Sequence, residues 1–344
     1  MKILILGAGA VGGYFGGRLV QEEGGADVTF LIRKGRAEQL IENGGLTIED
    51  CSNGRTTTIP RIKYIITPSS EETGRGEGYG NSDVVFDVIV LACKAYSLSG
   101  ALDAIAPFVH DKVSILPLLN GMAHLKAIKA KFPNAVVWGG TCGISATLTP
   151  NGKIQKMTES QYVIAGKWPQ DSSSSEGQDD GEMEDDNNNM LVLRELIKLM
   201  QEAGIEATVS DDMNSKMWGK WTSLATLAAA TTLFGGSVGD ILGTDSGRSY
   251  IDGVYRECNQ VATACRGGKE LDRTQQKKVY ERVFGNPNSI VRASMARDMQ
   301  NGNPTEADHV LGDMIQRATQ KGISMPLLSI AYTRLQIYEQ QRQH

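Results

Sequence analysis

Met1-Lys-Ile3-Leu-Ile-Leu6-Gly7-Ala8-Gly9-Ala10-Val11-Gly12-Gly-Tyr-Phe-Gly-Gly-Arg-Leu-Val20 opens the chain, and its reading decides the fold. Ile3 to Leu6 is an aliphatic run without polar alternation, the pattern of a parallel strand covered on both faces. It leads directly into Gly7-x-Gly9-x-x-Gly12 and then into a helical stretch. Gly7 permits the tight strand-to-helix turn, Gly9 lets the backbone approach a pyrophosphate, and Gly12 lets the helix lie close on the strand. The free N–H groups and positive dipole end of such a helix attract phosphate. The glycine pattern alone is a weak signal; the strand before it and the helix after it supply the context it requires. The expectation is an α/β fold with an N-terminal Rossmann-type doubly wound sheet, and Gly7, Ala8, Gly9, Ala10, Val11 and Gly12 cradling a dinucleotide.

Outward from this turn, Asp27-Val-Thr-Phe-Leu-Ile32 reads as the second strand and ends at Arg33-Lys34. An acidic residue at this position would hold the ribose 2′-hydroxyl of NAD, whereas an arginine accepts a 2′-phosphate, so Arg33 predicts NADP (NADPH). The plain alternative is a pair of solvated basic residues. Phe86-Asp-Val-Ile-Val-Leu-Ala92 leads to Cys93-Lys94, and Val113-Ser-Ile-Leu-Pro-Leu-Leu119 leads to Asn120-Gly121. Lys94 and Asn120 thus stand at the carboxyl ends of strands, where open α/β sheets bind ligands. Residues 56–66, 135–140 and 161–166 read as further strands, and 67–82 as a surface loop. Residues 170–189 combine a serine run, an acidic run and three asparagines, and are expected to be disordered. Residues 191–203 form an amphipathic helix and 205–209 a strand, which completes a first domain over 1–210. Ser210-Asp211-Asp212 offers N-caps for the next helix, and 211–344 is expected to be an all-α second domain.

The 344 residues leave room for two cores, and 40% hydrophobic with 22% charged residues is ordinary for a globular protein. The formal charge of −5 comes from the eight acidic residues of 170–189, without which the chain stands at +3. That balance gives no reason to expect nucleic acid. Five scattered cysteines without a C-x-x-C pair indicate neither a disulfide framework nor a metal site, and fit a reducing compartment. With no signal peptide at the start, a cytoplasmic location is expected. The uncharged stretch 221–239 is rich in Ala, Thr, Ser and Gly, which favours a buried helix over a membrane span.

In the second half, Met217, Trp221, Leu224 and Ala228 form an apolar stripe at helical spacing, and Lys220 lies beside it. Desolvation and the like charge of Lys216 would push the Lys220 pKa down, which suits proton transfer. A lysine that lays its stem on apolar surface and snorkels its head into water is the alternative reading. Ser294 and Asp298 stand one helical turn apart. Asn303-Pro304-Thr305-Glu306 reads as a helix start, with Pro304 in the first turn and Glu306 at its positive end. His309 has no partner at metal or triad spacing and reads as structural.

Taken in order, Gly-Ala-Gly-Ala-Val-Gly12, Arg33, Cys93-Lys94, Leu119-Asn120-Gly121, Trp218-Gly-Lys220, Ser294-Met295 and Thr305-Glu306 resemble the ketopantoate reductase (2-dehydropantoate 2-reductase) family over essentially the whole chain. The resemblance implies NADPH-dependent reduction of the 2-keto group of ketopantoate, a step toward pantothenate. It implies Lys220 as proton donor, Ser294 on the substrate carboxylate, and Glu306 contacting the cofactor and ordering the site. Lys94 and Asn120 would face the nicotinamide, with Asn120 also touching substrate and Ala146 joining the cofactor contacts. The expected partner is a small 2-keto acid, with no nucleic acid and no membrane; the apolar C-terminal helices are compatible with a homodimer. Three family asparagines are replaced, by Leu224, Ala228 and Val291. A more apolar 2-keto acid is therefore the competing substrate class, and a non-catalytic NADP-binding regulator a third reading.

Overall fold

The computed structural model describes residues 1–21, 26–67, 84–168 and 180–342, with the side chains of 180–186 excepted. The chain divides into two compact units, Met1–Leu119 with His124–Asn214, and Asn120–Ala123 with Ser215–His344. The second therefore starts four residues later than expected, and it also claims Asn120–Ala123, a stretch expected in the first.

The first unit begins with β1 (Lys2–Leu6), α1 (Ala10–Gln21), β2 (Asp27–Ile32) and α2 (Lys34–Glu42). A β3–β4 hairpin (Leu46–Asp50 and Arg55–Ile59) precedes β5 (Lys63–Ile66), β6 (Val88–Leu91) and α3 (Leu98–Ile105). Then come β7 (Ser114–Pro117), α4 (Ala123–Lys131), β8 (Val136–Leu148), β9 (Ile154–Lys167), α5 (Asp180–Glu202) and β10 (Glu206–Val209). The strands β5-β2-β1-β6-β7-β8 are parallel throughout, which is the doubly wound order 3-2-1-4-5-6. Beyond β8 the sheet changes character. β9 runs antiparallel to β8, and its two ends pair in parallel with β3 and β10.

The missing alternation in β1 has a direct cause. Ile3 and Ile5 enter the core beneath α1, with Phe15, Leu19 and Phe30, while Leu4 and Leu6 enter the opposite core with Ile89, Leu91 and Leu102. Successive side chains point to opposite faces, and both faces are covered. Each such burial stabilises the fold by about 1.5–3 kcal/mol.

The expected surface loop of 67–82 falls largely on residues outside the described ones, as do residues 169–179. From Asp180 onward, however, the stretch expected to be disordered is helical, as the start of α5. The amphipathic turns after residue 190 propagate the helix backward at low cost.

The second unit consists of helices among its described residues. They are α6 (Met213–Phe234), α7 (Val238–Leu242), α8 (Gly247–Cys265), α9 (Arg273–Phe284), α10 (Ser294–Gln300), α11 (Asp313–Gln320) and α12 (Pro326–Arg342), with a π-helical turn over Asp308–Gly312. The uncharged stretch after Trp221 lies in α6. Three of its buried threonines bond within the helix: Thr226 donates to the carbonyl of Thr222, Thr231 to Leu227 and Thr232 to Ala228, at 2.7–2.9 Å. No described helix is long and apolar enough to cross a membrane. α12 is fixed at its start by Glu257 of α8, whose two carboxylate oxygens accept the N–H groups of Leu327 and Leu328 at 3.0 Å. A carboxylate there satisfies orphan donors and opposes the helix dipole.

Candidate active site

In the first unit, the glycine turn sits at the carboxyl end of β1, at the switch point between β1 and β6. Gly7 has φ +93°, open to glycine and strained for other residues. A Cβ on Gly12 would stand 2.2 Å from the Gly7 carbonyl oxygen, so the close seating of α1 on β1 depends on that hydrogen. Gly9, by contrast, has nothing within 4 Å of its Cβ position, which leaves the approach to the turn open. Lys94 follows the adjacent strand β6, and Ala146 lies on β8 just past an irregularity in its pairing with β9. Arg33 is exposed at the N-cap of α2, immediately after β2.

Arg36, one turn further on, is a residue the sequence reading missed. Its Nε donates to the Ala8 carbonyl at 2.8 Å and its Nη1 to the Gly152 carbonyl at 2.7 Å, which ties the glycine turn to the β8–β9 turn. Its Nη2 is buried without a hydrogen-bond partner, and burial lowers the guanidinium pKa to about 10. An orphaned cationic donor beside an open glycine turn fits an anionic dinucleotide. The only signal in the sequence was a second arginine within the turn after Arg33.

In the second unit three predicted residues come together. Glu306 is 3% exposed and accepts from Asn120 Nδ2 at 3.2 Å. Lys220 Nζ, half-buried on α6, donates to Asn120 Oδ1 at 3.5 Å. The amide is used at both ends, with its donor on a carboxylate and its acceptor on an ammonium, which fixes its orientation. Asn120 can reach both because Gly121 follows it at φ +74°, where a Cβ would lie 2.6 Å from the His309 carbonyl oxygen. Ser294 is the first residue of α10 and is half-buried.

The segment carrying Glu306 differs from the expected helix start. Asn303 to Glu306 is not helical, and the chain enters the π-helical turn Asp308–Gly312 after Ala307. Tertiary partners replace helical ones: Thr305 donates its N–H and hydroxyl to Glu339, and Tyr338 donates to the Asn303 carbonyl. Trp221, next to Lys220, donates its indole N–H to the Val310 carbonyl at 2.9 Å. Trp221 stacks on Trp218, and the Arg317 guanidinium lies over both rings at 5.3 and 5.7 Å. π-Helical turns gather at functional sites, and this one sits beside the buried carboxylate.

The sequence profile described as ketopantoate reductase PanE/ApbA matches residues 3–170, and that of its C-terminal domain matches residues 212–339. The chain belongs to the ketopantoate reductase family. Among curated relatives it is 34% identical over 347 residues to the uncharacterized oxidoreductase YkpB of Bacillus subtilis, covering 99% of this chain and all of that protein. It is 25% identical over 340 residues to a 2-dehydropantoate 2-reductase of Mesorhizobium japonicum, covering 93% and 94% of the two. The fold matches D-mandelate dehydrogenase in complex with NADH and anilino(oxo)acetate, at TM-score 0.79 and 22% identity over the whole of both chains. It also matches the 2-dehydropantoate 2-reductase of Geobacter metallireducens, at TM-score 0.76 and 24% identity over 98% and 99% of the two. As a member of the ketopantoate reductase family the chain is an oxidoreductase. Of the three positions where the sequence resemblance implies asparagines, Ala228 is fully buried, Leu224 is half-buried and Val291 is 42% exposed.

Proposed function

We propose that this protein is a cytoplasmic NADPH-dependent reductase that converts the 2-keto group of ketopantoate to the alcohol of pantoate. The reading rests most on the Lys220–Asn120–Glu306 arrangement. Gly7 to Gly12, Lys94 and Ala146 would hold the cofactor, with Arg33 on its 2′-phosphate and Arg36 bracing the turn; Asn120 and Glu306 are assigned cofactor contacts as well. NADPH supplies a hydride when bound. Lys220 stabilises the negative charge that develops on the substrate oxygen and then protonates it. Asn120 aims the ammonium, Glu306 balances its charge, and Ser294 receives the substrate carboxylate. The experiment is steady-state reduction of ketopantoate by NADPH with wild-type protein and Lys220→Ala. Turnover that disappears in the variant supports the reading; an inactive wild type overturns it.

A second reading keeps the chemistry and changes the substrate to a 2-keto acid with a hydrocarbon side chain. Leu224, one turn beyond Lys220, and the partly exposed Val291 favour it, because neither can pair with a substrate hydroxyl. Trimethylpyruvate is ketopantoate without its hydroxyl, so the ratio of kcat/KM for the two acids decides between the readings.

A further inference from the structure

α12 begins on Glu257 and ends beside the segment that carries Glu306. Over its length it touches that segment repeatedly. Tyr332 donates to Asp308 at 2.7 Å, and its ring packs on Gly312, where a Cβ would meet the hydroxyl oxygen at 3.0 Å. Tyr338 donates to the Asn303 carbonyl at 2.8 Å. Glu339 Oε1 accepts both the backbone N–H and the hydroxyl of Thr305, each at 2.7 Å, while Oε2 accepts from Arg342 at 3.1 Å. Thr305 is 7% exposed and directly precedes Glu306.

Asn303 to Glu306 has no helical ladder of its own, so its position is set by the groups that receive its donors. Two of those bonds converge on a single carboxylate oxygen, and charge-assisted bonds of this kind are about twice as strong as neutral ones. One residue further along, the Glu306 carboxylate orients Asn120, which in turn meets Lys220.

We infer that Glu339, five residues from the end of the chain, is a positioning residue of the reductase site: it clamps Thr305 and thereby fixes Glu306 against Asn120 and Lys220. The inference rests on the assignment of Lys220, Asn120 and Glu306 to the proposed reduction. Glu339 touches neither substrate nor cofactor in this role. It acts on the chemical step through Glu306, and reaches NADPH only through the cofactor contact assigned to that residue.

Three variants of the full chain test it. Glu339→Ala removes the acceptor, and kcat is expected to fall at least about 10-fold, with a smaller rise in KM for NADPH through the contact assigned to Glu306, as for a site held slightly out of place. Glu339→Gln keeps an oxygen able to take both bonds and is expected to return kcat to within about 3-fold of wild type. Thr305→Val keeps the N–H and loses the hydroxyl, and is expected to fall between them. Amide exchange at Thr305 and Glu306 is read alongside, and is expected to accelerate at least about 10-fold in Glu339→Ala while the α6 amides stay protected. An unchanged kcat in Glu339→Ala, a glutamine variant as damaged as the alanine one, or exchange that accelerates uniformly over the second unit each overturns the inference. An inactive wild type with slow Thr305 exchange released only in Glu339→Ala would overturn the reductase reading and leave the clamp standing.

Discussion

Asn120 Nδ2 lies 3.2 Å from Glu306 Oε2, and the other end of the same amide lies 3.5 Å from Lys220 Nζ. An amide is suited to this place because it presents a donor to the carboxylate and an acceptor to the ammonium at once. Alanine removes both contacts, while aspartate would set a second carboxylate against a buried one. Asn120→Ala is expected to lower kcat by about 10²-fold, the scale for losing one organising polar group at a reaction centre. Asn120→Asp is expected to be worse, through like-charge repulsion with Glu306. Steady-state kinetics of the two variants checks the order, and an aspartate variant more active than the alanine one would contradict it.

The two arginines after β2 are expected to separate by cofactor. Arg33 is exposed at the N-cap of α2 and is assigned to the 2′-phosphate, so Arg33→Ala should weaken NADPH by about 10- to 100-fold and leave NADH nearly unchanged. Arg36 grips the Ala8 carbonyl inside the glycine turn. Arg36→Lys keeps the charge and loses the fork, and should weaken NADPH and NADH together. Titration of both variants with both cofactors checks this; an Arg36 variant that loses only NADPH would reassign the phosphate to Arg36.

What could be read in the sequence was whatever a local pattern specifies. β1, the glycine turn and α1 stand where the aliphatic run and the glycines put them, and β2 ends at Arg33 as expected. What could not be read depended on distant partners. β8 continues to Leu148, beyond the strand expected over 135–140, because Cys142 to Leu148 pairs with β9 across a turn. Asn120 follows β7 in sequence and joins the helical unit in space. The π-helical turn after Glu306 is held by Trp221, Tyr332 and the neighbouring grip of Glu339, and no spacing within Asn303–Gly312 announces it. Lys220, Asn120 and Glu306 could each be named as candidates from their sequence contexts, but the bonds by which Asn120 joins the other two could not.

The cysteines should differ sharply toward thiol reagents. Cys258 is fully buried on α8, and burial, with the nearby Glu257 charge, pushes its thiol up to about 12. Cys51 is exposed in the β3–β4 turn. Since the thiolate is the reacting form, a limiting amount of alkylating reagent at neutral pH should label Cys51 and spare Cys258 until the protein is unfolded. Peptide mapping after a short exposure checks the order. Labelling of Cys258 at the rate of Cys51 would mean that the α8 core opens readily.

Acid should weaken the fold through specific carboxylates. Burial acts to raise the Glu339 pKa, but the bonds from Thr305 and Arg342 outweigh it, so the carboxyl titrates below its ordinary 4.5. Asp50 has the same balance: burial raises it, and Ser52 and Lys156 bring it below 3.8. In both cases the unfolded chain binds the proton at a higher pH than the folded one. The stabilisation is therefore fully present above the ordinary value and is lost as pH falls from there through the depressed folded value. The neighbouring Tyr338, whose hydroxyl pKa burial raises, keeps its proton across this range. The denaturant midpoint is thus expected to be flat from about pH 7 to about pH 5.5 and to fall below about pH 4.5. Glu339→Gln has no such proton to take up and should fall less steeply. Urea titrations at a series of pH values, for wild type and this variant, measure the two slopes; equal slopes would show that the Thr305 clamp does not depend on the charge of Glu339.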